Sequence, residues 1–426
     1  MAVRNPRTTR TALASVLASG VIAGPVLAQD TNLTVWSDTP RLEVYERYDE
    51  LDNGVSLNVV TVAPNELVAK LQLALRADGE VPDVVWLSST DYAAQLSTRR
   101  TNFLADLGEH VSEDILAEFS EGANTPCTVN GKLLCLRNDI AQMVTWYDAP
   151  LMEELGLEVP ETWSDFEAIG ETLAGLEEDY YIGSAVEPYP ILITLASSDC
   201  EIGFPVEGAE DTIRVDLGSD ECLRAARMMD RMRESGVLAD VGPFDPAFAE
   251  VAKDRRVPLM VSATWFGEYV MRPTYEMPEG TLTAALPPRW EDQDQPRVWS
   301  WGGGAHGVNK DSGNLDAAVD LVVWATTDIE NQKQAVTLPA HEPSAAEWVQ
   351  SINEDGYYHG DRLGEVLLAS AEFSHPSLTS LRLRAVDAIG KVVVPGLGSG
   401  QSLEELLPTL EAELRNNARL NGYTVE

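Results

Sequence analysis

The sequence predicts an α/β protein with more than one domain. Three observations carry that reading. Strand-like and helix-like segments alternate along nearly the whole chain. The segment Pro82 to Leu87 holds a continuous apolar run, as a strand covered on both faces of a parallel sheet requires. About 400 residues remain behind the N-terminal leader, more than one core usually holds.

The leader comes first. Arg4, Arg7 and Arg10 give a positive start with no acidic residue. Thr11 to Leu27 is apolar and small, too short and too rich in Ala and Gly for a good membrane span. Residues 1–28 read as a secretory signal cleaved after Ala28, in preference to an N-terminal membrane anchor. No cysteine follows the cleavage site, so the expectation is a free protein in the periplasm.

Beyond the leader, Leu33 to Trp36 is a short buried strand, and Ser37 to Pro40 a loop. A helix through Val44, Tyr45 and Tyr48 follows, then an alternating strand from Ser56 to Thr61. Pro64 to Leu75 is an amphipathic helix, with Leu67, Leu71 and Leu75 spaced by four. After the strand at 82–87 comes the loop Ser88 to Asp91. Met143 to Tyr147 is a further apolar strand. Thr162 or Ser164 can cap the helix beyond Pro160. Leu223 to Arg233 and Ala317 to Thr326 read as helices. Val257 to Val261, Thr281 to Leu286 and Val298 to Trp301 read as strands. The last hundred residues are largely helical, closing with Leu403 to Asn416.

Charge excludes some functions. The chain has 30 Lys and Arg against 69 Asp and Glu; without the three leader arginines the balance is 27 to 69, a net charge of −42. Such a surface repels phosphate backbones and anionic lipid, so no nucleic-acid partner is expected. The acidity reads as a solvated shell rather than as a site for a cation. Four cysteines in an exported chain point to two disulfides. Local pairing, Cys127–Cys135 and Cys200–Cys222, is the most economical of the three connectivities. Val129-Asn130-Gly131-Lys132 makes a good turn inside the first pair.

The ordered landmarks resemble the extracellular solute-binding proteins of sugar ABC importers, the maltodextrin-binding class. Pro82-Asp83-Val84-Val85-Trp86 is similar to a strand of that family. Thr145-Trp146-Tyr147-Asp148, continuing through Leu155-Gly156-Leu157 to Pro160-Glu161-Thr162-Trp163, is similar to its longest run. Glu187-Pro188-Tyr189, Pro258 to Val261 with Trp265, Trp299 to Gly303, and Val386 to Gly390 with Ser402 to Leu406 follow in the family's order. The resemblance implies two discontinuous α/β lobes with a ligand cleft between them, the periplasmic binding protein architecture. It places one lobe at 29–140 and 285–345, and the other at 141–284 and 346–426. It also implies a monomer that captures a sugar and delivers it to importer permease subunits, with no cofactor and no catalysis.

A sugar offers C–H faces to aromatic rings and hydroxyls to carboxylates. Ligand contacts are therefore expected from Trp265, which ends a strand, and from Trp301, which precedes three glycines. Trp299 is expected to pack inward. Glu187 and Tyr189 flank a proline in an apolar stretch. Asp38, Ser89 and Asp91 sit in loops after first-lobe strands, although Asp38 or Asp91 could serve only as a helix cap. Gly302 and Gly303 allow close backbone approach, and His341 lies in a loop that reaches the cleft in the family. The first-lobe loops lack the charged and aromatic set of maltodextrin receptors, which argues against a long maltodextrin.

Catalytic motifs dissolve on inspection. Gly302 to Gly307 satisfies G-x-G-x-x-G, but a strand and turn follow where a dinucleotide site needs a helix. The sequence has no nucleophile elbow, H-E-x-x-H or phosphate-binding loop. Two rival functions remain at this point. One is a receptor of the same architecture for a polyamine, glycerol phosphodiester or osmolyte. The other is a secreted glycoside hydrolase, which needs two carboxylates facing each other across a cleft.

Overall fold

The computed structural model describes residues 1–2, 31–77, 79–98, 101–120, 122–206, 209–373 and 384–426. The predicted leader, beyond its first two residues, lies outside the described residues.

The first lobe is built on a five-stranded sheet. Its order is Val55–Thr61, Thr31–Ser37, Val84–Leu87, Ala305–Val308 and Leu136–Arg137. The first three strands are parallel; Ala305–Val308 runs antiparallel to both its neighbours. Alternation along each strand feeds two separate cores. Leu33, Val35, Val84 and Val308 pack on one face with Tyr45, Tyr48 and the helix Leu315–Thr327. Trp36, Val85, Leu87 and Ala305 pack on the other, under Leu67, Leu71 and the helix Asp91–Leu96. Burial on both faces explains why the 84–87 strand reads as a solid apolar run.

The disulfide Cys127–Cys135 belongs to this lobe, and Cys200–Cys222 to the other. Inside the first, Thr128–Val129 pairs with Lys132–Leu133. Asn130 and Gly131 both take positive φ, 54° and 74°, as a two-residue hairpin turn demands.

The second lobe centres on a three-stranded antiparallel sheet, Leu259–Ala263, Met143–Asp148 and Leu282–Ala285. One large core joins it to the helices Trp163–Ala174, Pro188–Ser197, Asp220–Glu234, Ala385–Gly398 and Leu403–Leu420. Local signals set the helix starts. Thr162 and Asp165 form a reciprocal capping box, as do Ser402 and Glu405. Asp148, fully buried, accepts from the Leu151 amide and is held bidentately by Arg255 at 2.8 Å.

Two expectations change. Val298 to Trp301 is not a strand. It makes an isolated bridge, Ser300 to Gln142, with backbone bonds from Met143 to Trp299 and from Trp301 to Ala141, both 2.9 Å. The ladder stops because Gly302 and Gly303 turn the chain away at φ 87° and 90°. The regular strand is Ala305–Val308. The chain also returns to the first sheet later than 285, because Trp290, Val298, Trp299 and Trp301 all pack in the second-lobe core. Three segments meet at the crossing: 138–143, 299–304 and 337–340. Asn138 donates to Gly304 at 2.9 Å and Ile140 to Leu338 at 2.8 Å.

Candidate ligand site between the lobes

The second-lobe wall is aromatic. Beyond the strand Leu259–Ala263, Thr264 shares a hydroxyl hydrogen bond of 2.5 Å with Thr337. That bond fixes the chain before Trp265. The Trp265 indole N–H donates to the Trp301 carbonyl at 2.8 Å, and the two rings meet edge to face, 5.5 Å apart. Tyr189 stacks on Trp301 at 5.1 Å and 18°. Phe244 lies parallel to Trp265 at 6.3 Å, and Tyr269 meets Trp265 edge-on at 5.9 Å. Exposure divides the cluster. Trp301 is 5% exposed, while Phe244 and Tyr269 are 52% and 44% exposed. Trp301 is therefore the buried support, and the outer rings and Trp265 are what a ligand could meet. Trp299 packs inward on Phe204, 5.7 Å away.

The first-lobe wall is polar and tightly keyed. Trp86 donates its indole N–H to Asp38 at 3.1 Å, and the Arg41 guanidinium lies over its ring at 4.6 Å. Asp139 accepts from the Gly304 amide at 3.0 Å and from the Asn138 side chain at 2.8 Å, with Arg41 3.8 Å away. The glycine run threads between these groups. A Cβ on Gly303 would strike the Arg137 guanidinium, and one on Gly304 the Trp86 ring; a Cβ on Gly302 would come within 3.5 Å of the Ser88 carbonyl. Gly302 and Gly303 thus have a packing reason as well as a conformational one. His306 lies beneath Trp86, 4.9 Å between ring centroids, and burial lowers its pKa to about 3.

Past Ser88 and the half-buried Ser89 the chain enters the helix Asp91–Leu96. Asp91 does not cap it; its carboxylate lies 2.7 Å from the Arg384 guanidinium, which also donates to the hydroxyls of Tyr92 and Tyr189 at 3.2 and 3.4 Å. Asp38 likewise makes no cap bond. Glu187 stands before the helix Pro188–Ser197, also without a cap bond. Burial raises the carboxyl pKa of Asp38 against the opposing pull of Arg41 and Trp86, and burial raises that of Glu187 as well. Burial, with Asp91 nearby, pushes the Tyr189 hydroxyl up to about 12. One oxygen of Asp38 and one of Asp91 are buried with no hydrogen-bond partner among the described residues.

Trp265, Trp301 and Tyr189 are thus linked through direct contacts, Asp91 joins Tyr189 through Arg384, and Asp38 joins them through Trp86 and the glycine run. His341 is not brought to this cluster. Its ring nitrogens meet the Ser344 hydroxyl at 2.8 Å and Glu118 at 3.1 Å, and it stands 4% exposed beside Phe119. A histidine so engaged holds the start of the helix Glu342–Glu354 and has no free edge for a ligand. Sequence reasoning missed Phe244, Tyr269, Trp86, Arg41 and Arg384. Phe244, between Pro243 and Asp245, was detectable as an aromatic in a loop. Arg384 carries no local signal.

Among the described residues no group of three or more His, Cys, Asp or Glu is placed to hold a metal ion, and no helix is long and apolar enough to cross a membrane.

Two α/β lobes joined by crossing segments, with rings on one wall and carboxylates on the other, define a two-lobed binding-protein architecture. The sequence pattern described as "bacterial extracellular solute-binding protein" matches residues 32–332, and the chain belongs to that family. No curated protein matches it by sequence. Among solved structures, the chain is similar to an ABC-transporter-associated binding protein of B. animalis subsp. lactis bound to β-1,6-galactobiose. The TM-score is 0.78 at 16% identity, over 93% of this chain and 99% of that one. It is similar also to the galacto-N-biose/lacto-N-biose I-binding protein of Bifidobacterium longum, with a TM-score of 0.77 at 17% identity over 93% and 99%. A third likeness is to the acarbose-binding receptor of Streptomyces glaucescens, with a TM-score of 0.73 at 18% identity over 93% and 100%. At such identities these likenesses establish the fold.

Proposed function

We propose that this chain captures a mono- or oligosaccharide between its lobes and delivers it, chemically unchanged, to the permease of an ABC importer. It works as a periplasmic monomer released by cleavage after Ala28. The lobes are 29–140 with a return near 302–345, and 141–301 with 346–426. The observation that carries the reading is the pairing of walls: packed rings at Trp265, Phe244 and Tyr269 on one lobe, and on the other buried carboxylate oxygens of Asp38 and Asp91 with no hydrogen-bond partner among the described residues. Rings suit the C–H faces of a sugar, and orphaned acceptors suit its hydroxyls. The sugar complexes of the three similar structures support the same reading.

Charge disfavours a polyamine. Asp91 already faces Arg384 and Asp139 faces Arg41, so two of the carboxylates near a cation entering here are already paired.

The test is a thermal-shift screen of the mature protein against sugars, polyamines and osmolytes, with recovery of the bound compound. A ligand that binds only the folded state raises Tm by mass action. A shift with one sugar class, recovered intact, is expected. Shifts with amines alone would discard the sugar, and a hydrolysed glycoside would discard the receptor.

A further inference from the structure

The two lobes touch at a charged point away from the crossing segments. Arg384 stands at the start of the helix Ala385–Gly398, whose Ala388, Ile389 and Val393 lie in the second-lobe core. Asp91 and Tyr92 open the helix Asp91–Leu96, packed in a first-lobe core. The guanidinium reaches from one body to the other. Its Nε lies 2.7 Å from Asp91, its Nη1 donates to the Tyr92 hydroxyl at 3.2 Å, and its carbon lies 4.9 Å from the Tyr92 ring centroid. On its own lobe it reaches Tyr189, the ring stacked on Trp301, and Asp387 at 3.3 Å.

We propose that Arg384 is the positioning residue for lobe closure: a latch that joins Asp91 and Tyr92 of one lobe to Tyr189 of the other. Three features support it. The pair is only 16% and 15% exposed, so solvent screens it less than a surface pair. The fork of the guanidinium serves both lobes at once, which a lysine could not do with the same geometry. Opening the lobes by a hinge motion must break the first-lobe contacts while sparing the second-lobe ones, so the latch distinguishes the two states. Through Tyr189 it also sets the outer face of the Trp301 stack.

The inference concerns the fold and does not depend on which solute is bound. The test uses the mature, oxidised chain with no added solute. Small-angle scattering is measured for the wild type, Arg384→Gln, Asp91→Asn and the exchange Arg384→Asp with Asp91→Arg. Chain length sets a compact radius of gyration of roughly 21 Å. Each single variant is expected to exceed the wild type, as lobe opening requires. The exchange is expected to restore the smaller radius. Asp387→Asn, which breaks a contact within one lobe, is expected to leave the radius unchanged. Melting temperatures of the single variants close to the wild type would show intact lobes. A wild type as expanded as Arg384→Gln, or single variants as compact as the wild type, would overturn the latch.

Discussion

The two walls of the cleft are built by opposite means. On the second lobe, Trp265, Trp301, Tyr189 and Phe244 hold one another by ring contact, with a single indole-to-carbonyl bond between the two tryptophans. On the first lobe, Trp86 is pinned by charge and hydrogen bonds: Asp38 at its N–H, Arg41 over its face, His306 beneath it and Gly304 against its edge. The ring wall depends on area and tolerates pH. The keyed wall depends on protonation states and on the lack of a side chain at one residue. The difference teaches that a binding surface can be made rigid either by packing density or by a satisfied polar network, and that each fails under different stress.

The largest expected effect removes the support of the ring wall. Trp301→Ala should cost about 3–5 kcal/mol, the usual cost of emptying a buried aromatic site. Denaturant unfolding would register it, and a loss under 1 kcal/mol would mean that the neighbouring rings do not lean on it. Next comes the disulfide contrast. Breaking Cys200–Cys222, which spans 22 residues of the second lobe, should cost about 3 kcal/mol. Breaking Cys127–Cys135, which spans 8, should cost about 2.5 kcal/mol. Paired Cys→Ser variants compared by denaturant midpoint would reverse the inference if the shorter loop mattered more.

On the keyed wall, Gly304→Ala should destabilise by about 1–3 kcal/mol, because the new methyl meets the Trp86 ring. Tryptophan fluorescence should shift with it, whereas Gly313→Ala, with open space around its Cβ, should be silent in both readouts. An equally silent Gly304→Ala would show that Trp86 is free to move.

A further effect separates the walls by pH. His306 has a folded pKa near 3, below the ordinary 6.5, so the folded state keeps it neutral. Its neutral form costs nothing above pH 6.5. As pH falls toward 3, the unfolded chain binds a proton that the folded chain refuses, and stability drops by up to about 1.4 kcal/mol per pH unit. Asp38, with its pKa raised by burial, acts in the other direction at the acid end, because taking up its proton relieves a buried charge. Melting curves from pH 7 to 4 should fall less steeply for His306→Gln than for the wild type. Identical slopes would place water or a proton at the imidazole and weaken the picture of a dry, keyed wall.

Much of this was legible in sequence where the signal is local. The strand read at 82–87 and found at 84–87, the Asn130-Gly131 turn, and a cap at Thr162 or Ser164 that proves to be Thr162 each follow from residues within a few places of one another. So did the order of landmarks that carries the family resemblance. Trp265, Trp301 and Tyr189 were singled out and do lie in ring contact. The reading faltered where distant segments share one space. His341 reads like a cleft residue until Glu118, 223 residues away in sequence, takes one of its nitrogens. Val298 to Trp301 has a strand's composition, but the glycines after it leave room for only a bridge.

The sequence by itself determined the α/β class and the family resemblance and favoured the local disulfide pairing, because periodicity, short loops and turn signals act over a few residues. Only the tertiary structure decided that Asp91 faces Arg384, that Trp301 lies behind rather than in front, and that Gly304 makes room for Trp86. Those facts arise from packing between segments far apart in sequence, where the partner of a side chain is chosen by how elements close on each other. No residue carries in its own neighbourhood the address of such a partner.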